Sequence, residues 1–303
     1  MSEQEWNAFA PAAAAAAAPP HAACGITAID AHAHVFETGL PLAGRRRYAP
    51  DYDAPLDAYL AQLDAHRVSH GVLVQPSFLG SDCRYLLRAL ARQPRRLRGV
   101  AVIDAGCAPA ALDALDALDR AGVVGIRLNL IGMPDPALDG PAWRATLERV
   151  AALRWHVELH AQAQRLARLI APLLAHRVNV VVDHFGRPEP ARGIADAGFR
   201  DLLRAAATRR VWVKLSGAYR NWPFAPGEAH ARARAAFDAL AAEFGAERLV
   251  WGSDWPHTQF ERTETFGRAL AFARRWIPDD AMRRAIFVET PARLFRFGEQ
   301  RGA

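Results

Sequence analysis

The stretch Ala28–Phe36 reads AIDAHAHVF and carries two histidines, His32 and His34, two residues apart. An extended strand places residues i and i+2 on one face, so both imidazoles point the same way at the end of an apolar run. Two such imidazoles can chelate a divalent metal or frame a reacting group. A single histidine pair in a strand is also often structural, so the other strands must decide whether this pair is functional.

Strand-like apolar runs alternate with amphipathic stretches along the rest of the chain. The predicted strands are Ile26–Phe36, His70–Gln75, Arg98–Ile103, Val123–Asn129, Trp155–His160, Val178–His184, Val211–Ser216 and Arg248–Gly252. The predicted helices are Leu56–Arg67, Tyr85–Gln93, Pro109–Ala121, Pro141–Leu153, Arg165–His176, Phe199–Thr208 and Glu228–Phe244, followed by closing helices at Thr263–Arg274 and Asp279–Phe295. Short runs rich in β-branched residues are typical of strands buried in a parallel sheet. Eight such repeats predict an α/β protein with a single (β/α)8 TIM barrel and extra C-terminal helices.

The rival architecture is an open, doubly wound sheet, which shows the same alternation of strands and helices. Its dinucleotide-binding fingerprint, GxGxxG, is missing from this chain. We therefore favour the barrel.

Composition narrows the class of protein. Hydrophobic residues make up 51% and charged residues 23% of the 303 residues, as in a soluble globular protein. No run of about 18 apolar residues exists, which argues against a membrane span. The net charge is +6, and the arginines mostly alternate with Ala and Leu in helical patterns. This pattern favours solvated helix faces over nucleic-acid binding and leaves a small anionic substrate open.

The N-terminus and the cysteines bear on domain boundaries and location. Residues 1–25 are rich in Ala and Pro, and Glu3 and Glu5 stand where a signal peptide needs basic residues. We predict a disordered tail at residues 1–25 and one barrel domain at residues 26–298. The three cysteines, Cys24, Cys83 and Cys107, form no CxxC motif. This spacing favours a reducing compartment, and we predict a cytoplasmic protein.

Polar residues cluster at the predicted C-terminal strand ends, where a barrel has its active site. In chain order they are His32, His34, Gln75, Ser77, Arg127, Asn129, His160, Asp183, His184, Arg187, Lys214, Ser216, Asp254 and His257. One isolated histidine would normally be a satisfied core residue. Four histidines and an aspartate at four different strand ends indicate a functional site instead.

The HxH pair on the first strand, the histidines on the fifth and sixth and the aspartate on the eighth resemble the amidohydrolase superfamily. The segments GVLVQPS, GIRLN, HVELHAQ, VVVDHFGRP, VWVKLSGAYR and WGSDWPH resemble its branch of 2-pyrone-4,6-dicarboxylate lactonase and related sugar-acid and muconolactone hydrolases. The resemblance runs from about Ile26 to about Phe297, and HFGRP, KLSGAYR and GSDWPH together are specific. It implies a distorted (β/α)8 barrel and a hydrolase that opens a lactone or a similar cyclic carboxylic ester. It also implies that Asp254 is the proton-transfer group.

The chemistry of these residues agrees with that role. The predicted catalytic residues are His32, His34, His160 and Asp254. A carboxylate among imidazoles can take a proton from water, which then attacks the lactone carbonyl, and can return the proton to the leaving oxygen. The imidazoles can supply hydrogen-bond donors, or a metal, to the tetrahedral oxyanion.

A second group is predicted to bind the substrate. Its members are Ser77, Arg127, His184, Arg187, Lys214, Tyr219, Arg220 and His257. Arginine forks match carboxylates, which makes the three arginines candidates to hold an anionic substrate. Six of these eight predictions have a structural alternative. It is a barrel-interior salt bridge for Arg127, helix capping for Arg187 and loop packing for Tyr219 and Arg220. Ser77 could merely turn the chain, and Lys214, the only lysine, could belong to a buried ion pair.

The resemblance leaves the cofactor open as none or one divalent metal, zinc or manganese. Many superfamily members hold two metals on a carboxylated lysine of the fourth strand, where this chain has Arg127. One metal on His32, His34, His160 and Asp254 is possible, although the lactonase branch works without one. The alternative function is therefore a metal-dependent non-oxidative decarboxylase of an aromatic or pyrone-type acid.

The substrate pocket of the lactonase branch is associated with several arginines. Around the fourth strand this chain has only Arg127, followed by the hydrophobic Ile131 and Met133. The expected partner is a small anionic molecule such as a pyrone dicarboxylate, with no nucleic acid and no membrane. The oligomeric state is not predicted.

Overall fold

The computed structural model describes residues 25–106, 108–223, 225–277 and 279–299. Eight strands form one parallel sheet in chain order. They are β1 (Ile29–Ala33), β2 (His70–Val74), β3 (Leu97–Ala101), β4 (Val123–Asn129), β5 (His156–His160), β6 (Asn179–Val182), β7 (Val211–Leu215) and β8 (Leu249–Trp251). A bridge between Ala33 and Trp255 brings the last strand back to the first. The predicted (β/α)8 barrel is confirmed. The predicted tail at residues 1–25 lies outside the described residues, apart from Gly25.

Helices follow the strands on the outside of the barrel. They are α1 (Leu56–Ala65), α2 (Arg84–Arg92), α3 (Pro109–Arg120), α4 (Pro141–Ala152), α5 (Ala163–Ala175), α6 (Ala197–Arg204), α7 (Ala218–Asn221), α8 (Pro226–Phe244), α9 (Phe266–Trp276), α10 (Asp280–Arg284) and α11 (Thr290–Leu294). Within the described part of the chain, no helix is both long and apolar enough to cross a bilayer.

The predicted closing helix at Asp279–Phe295 is not one regular helix. A π-helical turn at Ala285–Glu289 separates α10 from α11. Pro291 stands in the first turn of α11 and has no backbone N–H to donate to the preceding turn, where a regular α-helix would need one. The sequence pattern showed the apolar face of this segment but not the change of helical pitch.

The interior of the barrel is packed rather than hollow. Small and β-branched side chains from five strands meet Phe295, which follows α11 and is fully buried. A larger cluster fills the space between the strands and the outer helices. The apolar packing leaves the C-terminal ends of the strands as the place where polar side chains gather.

The first strand is irregular at the point where the fold meets the site. Its register with β2 shifts between Asp30 and Ala33. Ala31 belongs to the apolar interior cluster, and the next residue, His32, contacts Lys214 inside the barrel. Two consecutive inward side chains are incompatible with a regular pleat, and a bulge-like irregularity accommodates them.

Candidate active site

Four histidines and one aspartate converge at the C-terminal end of the barrel. Nε2 of His32 and Nε2 of His34 lie 3.9 and 3.7 Å from Oδ1 of Asp254. The His184 ring is 4.9 Å from the His32 ring and 4.7 Å from the His160 ring, between centroids. All five side chains are buried. The structure therefore brings together the four residues predicted as catalytic, together with His184.

Asp254 owes its position to the segment that leaves β8. Its backbone N–H donates to the carbonyl of His32 at 2.8 Å, which ties this segment to β1. Its φ of 62° lies in the left-handed region, which Asp tolerates better than most residues. Gly217 passes close by, and a Cβ at that position would lie 2.8 Å from Nδ1 of His184 and 3.1 Å from Oδ2 of Asp254. Glycine in KLSGAYR thus leaves room for the two polar groups.

Asp30 is a buried residue of this region that sequence reasoning missed. Its carboxylate accepts hydrogen bonds from the backbone N–H and hydroxyl of Ser253 at 2.7 and 2.6 Å, and from Tyr59 at 3.0 Å. Burial raises its pKa to about 6 despite these hydrogen bonds. The signal was present as the Asp of IDAHAH, two residues before His32. Asp30 fixes Ser253 and hence the residue that follows, Asp254.

The two oxygens of Asp254 have different surroundings. Oδ2 accepts from the hydroxyl of Tyr219 at 2.7 Å and from Nε of Arg220 at 2.5 Å. Oδ1 is buried and has no hydrogen-bond partner among the described residues. Burial raises the pKa of this carboxyl, but Arg220 and the surrounding imidazoles outweigh burial and hold it well below its usual range. Asp254 is therefore an anion at neutral pH with one oxygen available.

Hydrogen bonds at the inner nitrogens set the tautomers of three rings. Nδ1 of His34 donates to the carbonyl of Val74 at 2.7 Å, which leaves a lone pair on Nε2. Nδ1 of His160 accepts from Arg127 at 3.2 Å, and Nδ1 of His32 accepts from Lys214 at 3.0 Å. Arg and Lys only donate, so both of these neutral rings carry their proton on Nε2. The Nε2 atoms of His32 and His160 are buried without a partner among the described residues.

The imidazoles are neutral at physiological pH. Burial lowers the pKa of His34, His184 and His257 to about 4 in each case. The pKa values of His32 and His160 are also lowered well below the usual range, first by burial. A neutral ring offers one donor and one acceptor, whereas a charged ring would offer two donors.

These shifts predict how stability depends on pH. The unfolded chain binds protons on these histidines near pH 6.5, whereas folded His34, His184 and His257 do so only near pH 4. The free energy of unfolding is therefore highest above pH 6.5 and falls as the pH drops towards 4, by at most roughly 1.4 kcal/mol per pH unit and histidine. The raised pKa of Asp30 has the opposite effect on the free energy of unfolding, which it lowers as the pH rises towards 6. It is one group, whereas three histidines act in the other direction. Urea unfolding at pH 7 and pH 5 measures the difference, and His257→Asn should reduce it. Equal free energies at both pH values would contradict neutral rings.

The turn after β6 carries two site residues in a strained backbone. His184, Phe185, Gly186 and Arg187 all have positive φ, between 52° and 75°. Left-handed backbone costs of order 1 kcal/mol or more for each non-glycine residue, and such strain clusters at functional sites. Phe185 anchors the turn, because it is fully buried and its ring packs on Trp222 at 5.4 Å. The turn holds His184 and Arg187 against the same cavity.

A cavity of about 240 Å³ opens above the histidines and Asp254. Four arginines line it: Arg47, Arg127, Arg187 and Arg220. Arg127 pairs with Asp183 at 2.9 Å, and Arg220 pairs with Asp254, so both of these charges are compensated. Arg187 has the neutral Asn221 as its partner at 2.8 Å, and burial lowers its pKa to about 10. No carboxylate of the described residues pairs with Arg47 or Arg187, which leaves two uncompensated cations.

Arg47 was not predicted from the sequence. It belongs to the loop between β1 and α1, and its side chain lies across the loop after β4. A Cβ at Gly132 would lie 3.3 Å from Cδ of Arg47, so this glycine makes room for the arginine. Gly132 stands between Ile131 and Met133, which follow Arg127. The loop thus brings a cation to the side of the cavity where the fourth-strand segment has hydrophobic residues.

The structure separates the residues predicted to bind substrate into two groups. Ser77, Arg127, His184, Arg187 and Arg220 line the cavity. Lys214, Tyr219 and His257 are not among its lining residues. Lys214 is fully buried in an ion pair with Glu158, which is the structural alternative stated above.

Tyr219 and His257 stand behind Asp254 rather than in front of it. The Tyr219 hydroxyl, which donates to Asp254, also lies 3.2 Å from Nδ1 of His257. Together with Arg220, these residues orient the carboxylate. Sequence spacing shows that such residues are near the site but not which side of Asp254 they occupy.

The donor set fits a metal only in part. Among the described residues, His32, His34 and Asp254 place three ligand atoms within 4.8 Å of one another, and so do His32, Asp183 and His184. His160 belongs to neither group. His34 presents a lone pair at Nε2, but Nε2 of His32 carries a proton as long as Lys214 donates to Nδ1. The predicted set of four ligands therefore does not fit a metal in this arrangement, and we route no step through one.

Comparison with known proteins identifies the family. The amidohydrolase family model matches residues 29–297, and the chain belongs to this family. It is 32% identical to the 4-sulfomuconolactone hydrolase of Rhizobium radiobacter, over 88% of this chain and 89% of that one. It is 31% identical to the 2-pyrone-4,6-dicarboxylate hydrolase of Comamonas testosteroni, over 88% and 90% of the two chains. The relatives that carry the resemblance are thus lactone hydrolases.

A solved structure agrees with this assignment. A Pseudomonas putida protein provisionally named a 2-pyrone-4,6-dicarboxylic acid hydrolase is 48% identical, with a TM-score of 0.84 over 91% of this chain and 99% of that one. More distant structures share the fold alone. They include a zinc-bound amidohydrolase from Burkholderia multivorans at 21% identity (TM-score 0.76) and a manganese-bound dihydroxybenzoic acid decarboxylase from Polaromonas at 17% (TM-score 0.63).

Proposed function

We propose that this protein hydrolyses the lactone ring of a small dianionic acid, with Asp254 as the group that transfers the proton. One observation carries the proposal: a buried carboxylate with an unpartnered oxygen stands beside a cavity that has two uncompensated arginines. The names of the similar proteins support the reaction, since the sulfomuconolactone and pyrone dicarboxylate hydrolases open lactones.

The cavity suits a small ring that carries two acidic groups. Its volume of about 240 Å³ is below the range of roughly 300–1,000 Å³ that is usual for drug-sized ligands. Arg187 and Arg47 provide two positive charges that no carboxylate of the described residues neutralises. Arginine binds carboxylate and similar oxyanions through two parallel hydrogen bonds, so each arginine can hold one acidic group. Ser77 offers a further hydroxyl at the rim.

The protonation state of each polar group determines its part in the hydrolysis. Oδ1 of Asp254 accepts a proton from water, and the resulting hydroxide adds to the lactone carbonyl carbon. The Nε2–H group of His160, which lines the cavity, donates to the carbonyl oxygen as it becomes an oxyanion. The Nε2–H group of His32 lies beside Oδ1 of Asp254 and donates to the oxygen of the attacking water. Nε2 of His34, which has a lone pair, accepts a hydrogen bond from the second O–H of the water, and that hydrogen stays on the hydroxide. The tetrahedral intermediate expels the ring oxygen, and Asp254 returns its proton to that oxygen.

The low pKa of Asp254 makes it a weak base in the free protein. A bound dianion changes this balance, because two negative charges beside the carboxylate raise its affinity for a proton. Arg220 is the main source of the low pKa, and it also lines the cavity where the substrate would sit. Substrate binding thus moves Asp254 towards the proton affinity that general-base catalysis requires.

A panel of lactones tests the proposal. Proton release is measured for dianionic, monoanionic and neutral lactones, each with and without a chelator. We expect the highest kcat/KM for a dianionic lactone. Chelation should not lower this activity, because no step of the proposed reaction uses a metal. Release of carbon dioxide from an aromatic or pyrone-type acid, abolished by chelation and restored by zinc or manganese, would favour the metal-dependent decarboxylase instead.

We also propose a cytoplasmic location. The described cysteine, Cys83, is a buried free thiol, as is usual in a reducing compartment.

A further inference from the structure

Beneath the catalytic residues, β5 and β7 each contribute a buried charged side chain that the reaction does not use. Lys214 from β7 forms an ion pair with Glu158 from β5, and both side chains are fully buried. Nζ of Lys214 also lies 3.0 Å from Nδ1 of His32 on β1 and 3.7 Å from Oδ1 of Asp183. Burying two charges is costly, so an ion pair at this position calls for an explanation beyond stability.

The contact between Lys214 and His32 determines where the imidazole proton resides. An ammonium group has three donors and no acceptor, so Nδ1 of His32 must accept the hydrogen bond. A neutral ring that accepts at Nδ1 carries its hydrogen on Nε2. Asp183 would favour the other tautomer, in which Nδ1 carries the hydrogen, since its Oδ1 is an acceptor 3.4 Å from Nδ1. The Lys214 contact is shorter, at 3.0 Å, and has hydrogen-bond geometry, whereas the 3.4 Å contact between Oδ1 of Asp183 and Nδ1 does not.

We propose that Lys214, held in place by Glu158, is a positioning residue that locks His32 in the Nε2–H tautomer and thereby prevents this ring from binding a metal. A histidine that coordinates a metal through Nε2 must present a lone pair there and carry its hydrogen on Nδ1. Two donors, Nδ1–H and the ammonium of Lys214, would then face each other at 3.0 Å. The lock therefore converts a potential ligand into a hydrogen-bond donor beside Oδ1 of Asp254.

His34 provides an internal comparison within the same site. Its Nδ1 faces a backbone carbonyl, that of Val74, rather than an ammonium group. Its Nε2 lone pair is therefore available, and Oδ1 of Asp254 lies 3.7 Å away from it. Two of three ligand positions in the group of His32, His34 and Asp254 are thus competent to bind a metal. The third is closed by a residue that contributes nothing else to the cavity.

The first test examines the tautomer in the unaltered protein. Nitrogen NMR of protein labelled with ¹⁵N-histidine distinguishes Nε2–H from Nδ1–H rings, and comparison with His32→Gln assigns the His32 signals. We expect His32 as a neutral Nε2–H ring and His34 as a neutral Nδ1–H ring. A His32 signal from an Nδ1–H ring would overturn the proposal. This result does not depend on the identity of the substrate or on the lactonase assignment.

The second test removes the lock. In the double variant Glu158→Gln/Lys214→Met both charges disappear together, so neither is left alone in the barrel. We expect zinc to bind this variant about 10- to 100-fold more tightly than the parent, measured by calorimetry. Adding His34→Asn should abolish the gain, which separates the site from zinc bound elsewhere. Equal zinc affinities of the parent and a folded double variant would overturn the proposal, and the NMR measurement decides the question if the variant does not fold.

Discussion

Replacing Asp254 with asparagine should lower kcat by a factor of about 10² to 10⁴ while the barrel remains folded. Asparagine has nearly the volume of aspartate and tolerates a φ of 62°, so the backbone after β8 can stay as it is. Its side-chain oxygen can still accept from Tyr219 and Arg220. The change removes the negative charge and the lone pair of Oδ1 that takes the proton from water.

The measurement is kcat on the best lactone of the panel, with thermal melting in parallel. Asp30→Asn serves as the matched control, because it also removes a buried carboxylate while its amide oxygen can still accept from Ser253, which positions Asp254. This substitution should mainly lower the free energy of unfolding, by about 1–3 kcal/mol, because it weakens buried hydrogen bonds. If Asp254→Asn melts like the parent and retains kcat within tenfold, Asp254 is not the proton-transfer group.

Replacing Arg187 with methionine should raise KM for a dianionic lactone by roughly 10- to 100-fold, as the loss of a charge-assisted bond of about 1.5–3 kcal/mol implies. KM for a neutral lactone should change little. The physical reason is that Arg187 has no carboxylate partner among the described residues, so its charge is available to the substrate. Methionine retains much of the side-chain length and removes the guanidinium.

Arg127→Met is the control for this prediction. Arg127 also lines the cavity, but its guanidinium donates to Asp183 and to Nδ1 of His160. Its removal leaves Asp183 without its arginine partner and releases the tautomer of His160, so activity on both lactones and stability should fall together. A similar rise in KM for charged and neutral lactones in Arg187→Met would mean that Arg187 only supports the turn after β6.

The sequence predicted the parts of the site that depend on local order. His32, His34, His160 and Asp254 could be found because each stands at or just after the end of an apolar run, and a barrel gathers all such ends at one face. The strand irregularity at β1 did not prevent this, since it preserved the inward direction of His32 and His34. The resemblance to the family added the role that we propose for Asp254.

The sequence could not show contacts that arise only when distant segments meet. Arg47 enters the cavity from a loop, and only the folded chain places it beside Gly132. Lys214 was predicted to bind substrate, but its distance from Glu158 and His32 along the chain conceals the ion pair and the hydrogen bond. In physical terms, strand periodicity determines on which face of the strand a side chain lies. Which residue it contacts there depends on packing across the barrel.

The position of Arg47 on an exposed loop has a consequence for how this enzyme can change. Because Arg47 makes no ion pair with a described residue and stands outside the barrel wall, its replacement alters the charge of the cavity without disturbing a strand. Surface substitutions of this kind usually change the free energy of unfolding by less than about 0.5 kcal/mol. A single substitution of Arg47 should therefore shift the preference between acidic and neutral lactones with almost no loss of stability. Selection against unstable variants would not remove it.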